Sequence, residues 1–122
     1  MTKPIKVELI EDDILLARQF VASLQKAGYD VHHSHHAKEA MVTIDELLPD
    51  VIILDILLPV TTGFTLLHEL QSYDDTRAIP VIICSSVPLT LKEVDSYGVR
   101  RVIDKTTMLP DDLVKAVRAV LP

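Results

Sequence analysis

The chain is short of the features that hold small exported proteins together or carry proteins into a membrane. Among its 122 residues there is one cysteine, Cys84, so no internal disulfide can form and a reducing compartment fits. Cys84 lies in the apolar run Val81-Ile82-Ile83-Cys84, where a thiol packs as a small hydrophobe rather than serving redox chemistry. No apolar stretch approaches the roughly 20 residues needed to cross a bilayer. The opening Met1-Thr2-Lys3-Pro4 leads almost at once into a strand, without the apolar stretch and cleavage site of a secretory signal, so a cytoplasmic location is expected. Positive charge is scarce as well: 12 Lys and Arg stand against 18 Asp and Glu, a net charge of −6, and no basic face is on offer to a phosphate backbone. This chain alone is expected to bind neither nucleic acid nor a membrane. Linkers, repeats and low-complexity stretches are also missing. With 48% hydrophobic residues the chain can build a core without disulfide or metal staples, and residues 1–122 are expected to form a single domain.

What the chain does have is five short runs rich in Val, Ile and Leu, alternating with segments of helical period. That alternation predicts βαβαβαβαβα, an α/β fold with a parallel sheet covered by helices on both faces. The first strand is Val7-Glu8-Leu9-Ile10; the helix after Asp13 packs through Leu15, Leu16, Phe20, Val21 and Leu24 and stops at Gly28. A weak second strand runs from Tyr29 to Ser34, and the second helix covers Ala37 to Leu48, ended by Pro49. Val51-Ile52-Ile53-Leu54 make the third strand, and Phe64, Leu66, Leu67 and Leu70 are the apolar set of a helix between Gly63 and Tyr73. Pro80 opens the fourth strand, where no amide hydrogen is needed. Thr90-Leu91-Lys92-Glu93 matches a capping box and predicts about two turns of helix from Leu91, stopping at Gly98. Val102-Ile103 belong to the fifth strand. Pro110, Asp111 and Asp112 suit the first turn of the last helix, whose inward stripe is Leu113, Val114, Val117, Val120 and Leu121.

Chemistry gathers at the strand ends. Asp55 closes the third run, which reads as a strand buried on both faces, and open parallel sheets place their sites at that C-terminal edge. Glu11-Asp12-Asp13 follow the first strand, Ser85-Ser86 the fourth and Lys105 the fifth. Neighbouring strand ends lie within about 5 to 10 Å, so Glu11, Asp12 and Asp55 are expected to meet. Clustered carboxylates require a proton, a lysine or a hard divalent cation, and an all-oxygen set with few fixed positions favours Mg²⁺. Acids at helix N-termini are also ordinary caps, which accounts for Asp13 and in part Asp12, but not for Asp55. Lys105 is placed to reach Asp55; at about 4 Å and an effective dielectric near 20 the pair attracts by roughly 4 kcal/mol before desolvation. Taken alone, Lys105 reads as a surface lysine and Ser85 as a turn cap. Together, carboxylate, Mg²⁺, ammonium and hydroxyl are the parts of phosphoryl transfer, with Asp55 as nucleophile and Lys105 and Ser85 on the remaining oxygens.

In this order and spacing the residues resemble the receiver domain of two-component response regulators, from Ile5 to Leu121. The family's acidic pair matches Glu11 and Asp12, its motif D-x-x-x-P-x-x-x-G matches Asp55, Pro59 and Gly63, its Thr/Ser matches Ser85 and its Lys matches Lys105. The resemblance implies a flavodoxin-like, doubly wound five-stranded sheet of order 2-1-3-4-5 with five helices. It implies Asp55 as phosphoacceptor, and Mg²⁺ held by Glu11, Asp12, Asp55 and the backbone carbonyl of Leu57. A sensor histidine kinase or phosphotransfer protein would donate from a phosphohistidine, and a downstream protein target or an output domain missing from this sequence would receive the signal. Such a domain is a signalling phosphoacceptor, not an enzyme in the usual sense, since it catalyses only its own phosphorylation and autodephosphorylation.

Several positions depart from the family pattern. Val102 replaces the Tyr or Phe whose inward rotation accompanies movement of the Thr/Ser, which puts that switch in doubt. Thr106 replaces the usual proline after the lysine, and a non-proline cis bond costs about 2.5 to 4 kcal/mol, which puts the family's cis peptide in doubt. The segment Ser86-Val87-Pro88-Leu89 with the fourth helix is two residues shorter than usual, and Arg100 and Arg101 stand where winged-helix members are often acidic, so a dimer built on that charge pattern is not expected. Ser86 stands where Ala or Gly is usual, and Val87 and Leu57 are apolar beside the path of hydrolytic water, which is expected to lengthen the life of an acyl phosphate.

Three other readings are open. A haloacid-dehalogenase-like Mg²⁺ phosphatase shares the aspartyl nucleophile but needs a second acid two residues on, where Leu57 stands. A flavin-binding domain needs a hydroxyl- and glycine-rich phosphate loop after the first strand, where Glu11-Asp12-Asp13 would repel phosphate. A degenerate receiver would serve as a phosphate-independent interaction module, against which the complete acid, hydroxyl and lysine set counts. His32, His33, His35 and His36 invite a second metal site. Only alternate strand residues share a face, however, so at most His33 with His35, or His32 with Ser34 and His36, can converge, and a polar edge is the simpler reading.

Overall fold

The computed structural model describes residues 3–58 and 62–122. Five parallel strands, β1 (Lys6–Ile10), β2 (Asp30–Ser34), β3 (Val51–Leu54), β4 (Val81–Ser85) and β5 (Val99–Asp104), lie in the order β2-β1-β3-β4-β5. Five helices connect and cover them: α1 (Ile14–Lys26), α2 (Ala37–Leu47), α3 (Gly63–Gln71), α4 (Leu91–Val94) and α5 (Pro110–Val120). The alternation read from the V/I/L runs is therefore the architecture, in the strand order that the resemblance implied.

Strand side chains alternate between faces, and this divides the core into two layers. Ile10, Ile52, Leu54 and Ile83 pack with Ala40, Ile44, Leu66, Leu67 and Leu70 from α2 and α3. Val7, Leu9, Ile53 and Ile82 pack with Phe20, Leu24, Leu113 and Val117 from α1 and α5. Every residue of β3 and β4 is buried, as continuous apolar runs in a doubly covered sheet demand. The chain turns to opposite sides of the sheet after β1 and after β3, and their C-terminal ends flank the crevice this creates.

Local chemistry sets the helix ends. Asp13 caps α1 by accepting from the Leu16 N–H at 3.1 Å, and Gly28, at φ +97°, takes the left-handed turn that releases the chain into β2. Asp112 accepts from the Leu109 N–H at 2.8 Å at the start of α5, behind Pro110.

Two expectations are revised, and the fourth helix and fifth strand gain detail. Leu15 is 71% exposed, because at 3.6 residues per turn it lies on the far side of α1 from Leu24. Helix α2 ends one residue early, at Leu47; Leu48 is left-handed (φ 44°) and its N–H closes on the Ile44 carbonyl. The fourth helix is one α-turn followed by a 3₁₀ turn, Asp95–Tyr97, which Gly98 (φ +82°) ends. Of its capping box, the Glu93 carboxylate accepts from the Thr90 N–H at 3.2 Å. Finally, β5 begins at Val99, and the register jumps so that Ile82 faces Arg101, leaving Arg100 and Arg101 both exposed.

Candidate functional site

The ladder between β1 and β3 runs one residue beyond the strand, with the Asp55 N–H donating to the Ile10 carbonyl at 3.2 Å. This sets Asp55 at the sheet's C-terminal edge, only 5% exposed. Both of its carboxylate oxygens are engaged: the Leu57 N–H donates to Oδ1 at 3.0 Å, and Lys105 Nζ donates to Oδ2 at 2.7 Å. Glu11, 2% exposed at the end of β1, accepts from the Asp13 N–H through Oε2 at 3.1 Å and is ion-paired through Oε1 with the same lysine. Asp12 is exposed beside them. Carboxylate oxygens of Glu11, Asp12 and Asp55 lie within 4.8 Å of one another.

The electrostatics of this corner call for positive charge. Burial pushes the Glu11 carboxyl up from its ordinary value, while the hydrogen bond from Lys105, the Asp13 N–H and the lysine's charge pull it down, and the Asp55 charge pushes it up again. Burial by itself would lower Lys105, but hydrogen bonds to Asp55 and Glu11 and their charges outweigh it and hold the ammonium above its ordinary range. Three carboxylates thus face one ammonium. An all-oxygen, net negative nest of this kind fits a hard divalent cation.

The remaining residues support the corner. Ser85, 1% exposed, accepts from the Val87 N–H through Oγ at 3.2 Å, and its backbone carbonyl takes the Lys105 N–H at 3.0 Å. The end of β4 therefore holds the backbone that carries the lysine, a role that sequence reasoning did not foresee. At Gly63 an added Cβ would lie 2.8 Å from Ile56 Cα and 2.9 Å from the Asp55 carbonyl oxygen, and the Gly63 N–H donates to the Ile56 carbonyl at 2.9 Å. Only glycine lets the first turn of α3 press so closely on the segment bearing Asp55. Pro59, the motif's proline, lies outside the described residues. A cleft of about 400 Å³, lined among others by Val87, Leu89 and Val102, opens where the β4–α4 connection meets β5. No described peptide bond is cis, so Lys105–Thr106 is trans.

The histidines divide among separate tasks. His36 accepts from the Glu39 N–H at 3.2 Å and caps α2; the rings of His33 and His35 lie 4.5 Å apart. Among the described residues, Glu11, Asp12 and Asp55 form the one metal-capable group, and no histidine belongs to it. Sequence reasoning missed Glu8. It is 1% exposed beneath α2, accepts from Ser34 Oγ at 2.5 Å and lies 3.1 Å from His32 Nδ1. The signal was present as a carboxylate in the middle of an apolar strand.

A doubly wound parallel sheet with acids at the C-terminal ends of β1 and β3, and a lysine at the same end of the edge strand β5, defines a class of α/β domain whose ligand crevice lies at the topological switch point. The response regulator receiver domain profile matches residues 7–118, and the chain belongs to that family. It is 35% identical over 71 residues to the transcriptional regulatory protein TrcR of Mycobacterium tuberculosis, covering 58% of this chain and 28% of that protein. To the DNA-binding dual master transcriptional regulator RpaA of Synechocystis it is 30% identical over 82 residues, 67% of this chain and 34% of that one. The chain thus spans about a third of the curated relatives it matches. The chemotaxis protein CheY4 of Vibrio cholerae superposes with a TM-score of 0.89 at 26% identity, covering 98% of this chain and all of that one. The chain is accordingly a signalling domain of two-component systems, and among its described residues no helix is long and apolar enough to cross a membrane.

Proposed function

We propose that this receiver accepts a phosphoryl group on Asp55 from a phosphohistidine of a sensor histidine kinase or phosphotransfer protein, and that the phosphorylated form changes its affinity for a protein partner. The observation that carries the reading is the 2.7 Å contact of Lys105 Nζ with Asp55 Oδ2, beside Glu11 and Asp12. The Asp55 carboxylate oxygen attacks phosphorus, the phosphorus–nitrogen bond of the donor breaks, and the departing imidazole takes up a proton. Lys105 then neutralises an oxygen of the transferred group, and the Ser85 hydroxyl turns to donate to another. Glu11, Asp12, Asp55 and the Leu57 carbonyl would hold Mg²⁺, which when bound offsets phosphoryl charge. Water releases the group again by hydrolysing the acyl phosphate.

Exposed apolar side chains beside the site support a protein donor. Ile14 and Leu15 open α1 directly after the acids, Leu57 follows Asp55 by two residues, and Leu109 follows Lys105 by four; all are more than half exposed. Apolar groups rimming a polar centre are what a docking partner covers. Output passes by population shift, since the phosphoryl group must favour one conformer over another, to a target protein or to an output domain such as the relatives' names imply. With a net charge of −6, the domain leaves contact with nucleic acid to other parts. Mass spectrometry after incubation with acetyl phosphate and Mg²⁺ tests the reading. A gain of about 80 Da, one phosphoryl group, that is lost in Asp55→Asn is expected. An unmodified parent overturns it in favour of a phosphate-independent module, and an equally modified Asp55→Asn overturns it by placing the phosphoryl group on another residue.

A further inference from the structure

His33 sits half-buried on the edge strand β2, and its ring reaches across to the end of β1. Nε2 lies 2.7 Å from the carbonyl oxygen of Glu11. A carbonyl can only accept, so Nε2 carries the hydrogen and donates. The other backbone group of the same residue is also taken by β2, since the Glu11 N–H donates to the Ser34 carbonyl at 3.1 Å. Glu11 is thus clamped at both its N–H and its C=O. The Glu11 carbonyl and the Asp12 N–H share one rigid peptide plane, so a bond to that oxygen fixes the orientation from which Asp12 departs. The contact between the His33 and His35 rings, with centroids 4.5 Å apart, restricts the donor ring in turn.

We propose that His33 is a positioning residue for the acidic site: by holding the Glu11–Asp12 peptide plane it aims the two carboxylates that would hold Mg²⁺. The inference rests on the Mg²⁺ reading of the site given above. Hydrogen-bonding partners behind metal ligands typically change metal affinity by 10- to 100-fold when removed.

The test is calorimetric titration of the whole chain with Mg²⁺, with no phosphodonor present, for the parent, Asp12→Asn, His33→Phe and His33→Gln. The parent is expected to bind one Mg²⁺ and Asp12→Asn to lose that binding. His33→Phe is expected to bind about tenfold more weakly, and His33→Gln, whose amide nitrogen can replace Nε2–H, to return to within about threefold of the parent. Parent-like binding by His33→Phe overturns the inference, as does equal weakening in the Phe and Gln variants. A parent and an Asp12→Asn that both fail to bind instead sink the metal reading beneath it. A ring ¹⁵N spectrum of the parent at pH 8 serves even if a variant fails to fold: it should show His33 protonated at Nε2, and an Nδ1–H tautomer refutes the clamp.

Discussion

Replacing Glu8 with glutamine should abolish a large pH dependence of stability. Burial by the core beneath α2 pushes the Glu8 carboxyl up to about 8; the Ser34 hydroxyl pulls it down only in part, and the charge of Glu39 adds to the rise. From β1 itself Lys6 faces the same side but is engaged with the Leu47 carbonyl at 3.4 Å, β2 contributes His32, and β3 contributes only Ile52. In the unfolded chain the carboxyl titrates near its ordinary 4.5. The folded state therefore keeps a proton that the unfolded state releases, so its stability is full below pH 4.5, falls between 4.5 and about 8, and is level above. At about 1.4 kcal/mol for each pH unit, that interval amounts to an order-of-magnitude loss of about 5 kcal/mol, a large share of a typical domain's stability. Glutamine has the shape of the protonated acid and cannot ionise. Urea unfolding of parent and Glu8→Gln from pH 4 to 9 isolates the effect, because every other titrating group is common to both. The variant should match the parent to within about 1 kcal/mol at pH 4 and exceed it by several kcal/mol at pH 9. Parallel curves would refute the argument, and would mean that a protonated His32 or trapped water keeps Glu8 ionised in the fold.

Lys105→Met leaves Glu11 and Asp55 buried against each other without their cation, and should lower stability in EDTA by about 3 kcal/mol; Mg²⁺ should then raise the midpoint of urea unfolding more in the variant than in the parent, and equal Mg²⁺ responses would count against a shared site. Gly63→Ala drives a methyl into the backbone of Asp55 and Ile56 and should cost about 1 to 3 kcal/mol in the same assay, a neutral result showing that α3 can pivot away. Leu57→Asn or Val87→Glu should speed loss of the phosphoryl group from Asp55, followed by mass spectrometry over time, because either supplies a polar anchor for water where an apolar side chain now stands; unchanged lifetimes reject the screening role.

The strands and the identity of the edge acids were legible because their signals are local. An uninterrupted Val51–Leu54 run has one stable home, between two helical layers, and a charge at its end has few reasons to exist there. Asp13 and Gly28 mark helix ends through bonds and dihedral angles that span a few residues. Leu15 was misread because apolar residues at adjoining positions fit more than one helical face, and only the neighbours facing the helix choose between them. The bulge at Arg100 was invisible for a similar reason, since register belongs to a pair of strands rather than to one.

The order of residues along the chain thus decided which elements form, where they stop and which side chains come to the sheet's C-terminal edge. It could not decide how those side chains share partners. That Lys105 bridges Glu11 and Asp55, that Ser85 holds the lysine's backbone, that His33 ties down Glu11 and that α2 and Ser34 close over Glu8 all depend on contacts between segments 20 to 94 residues apart. Desolvation and hydrogen-bond geometry are set by such neighbours, and they exist only once the helices have closed over both faces of the sheet.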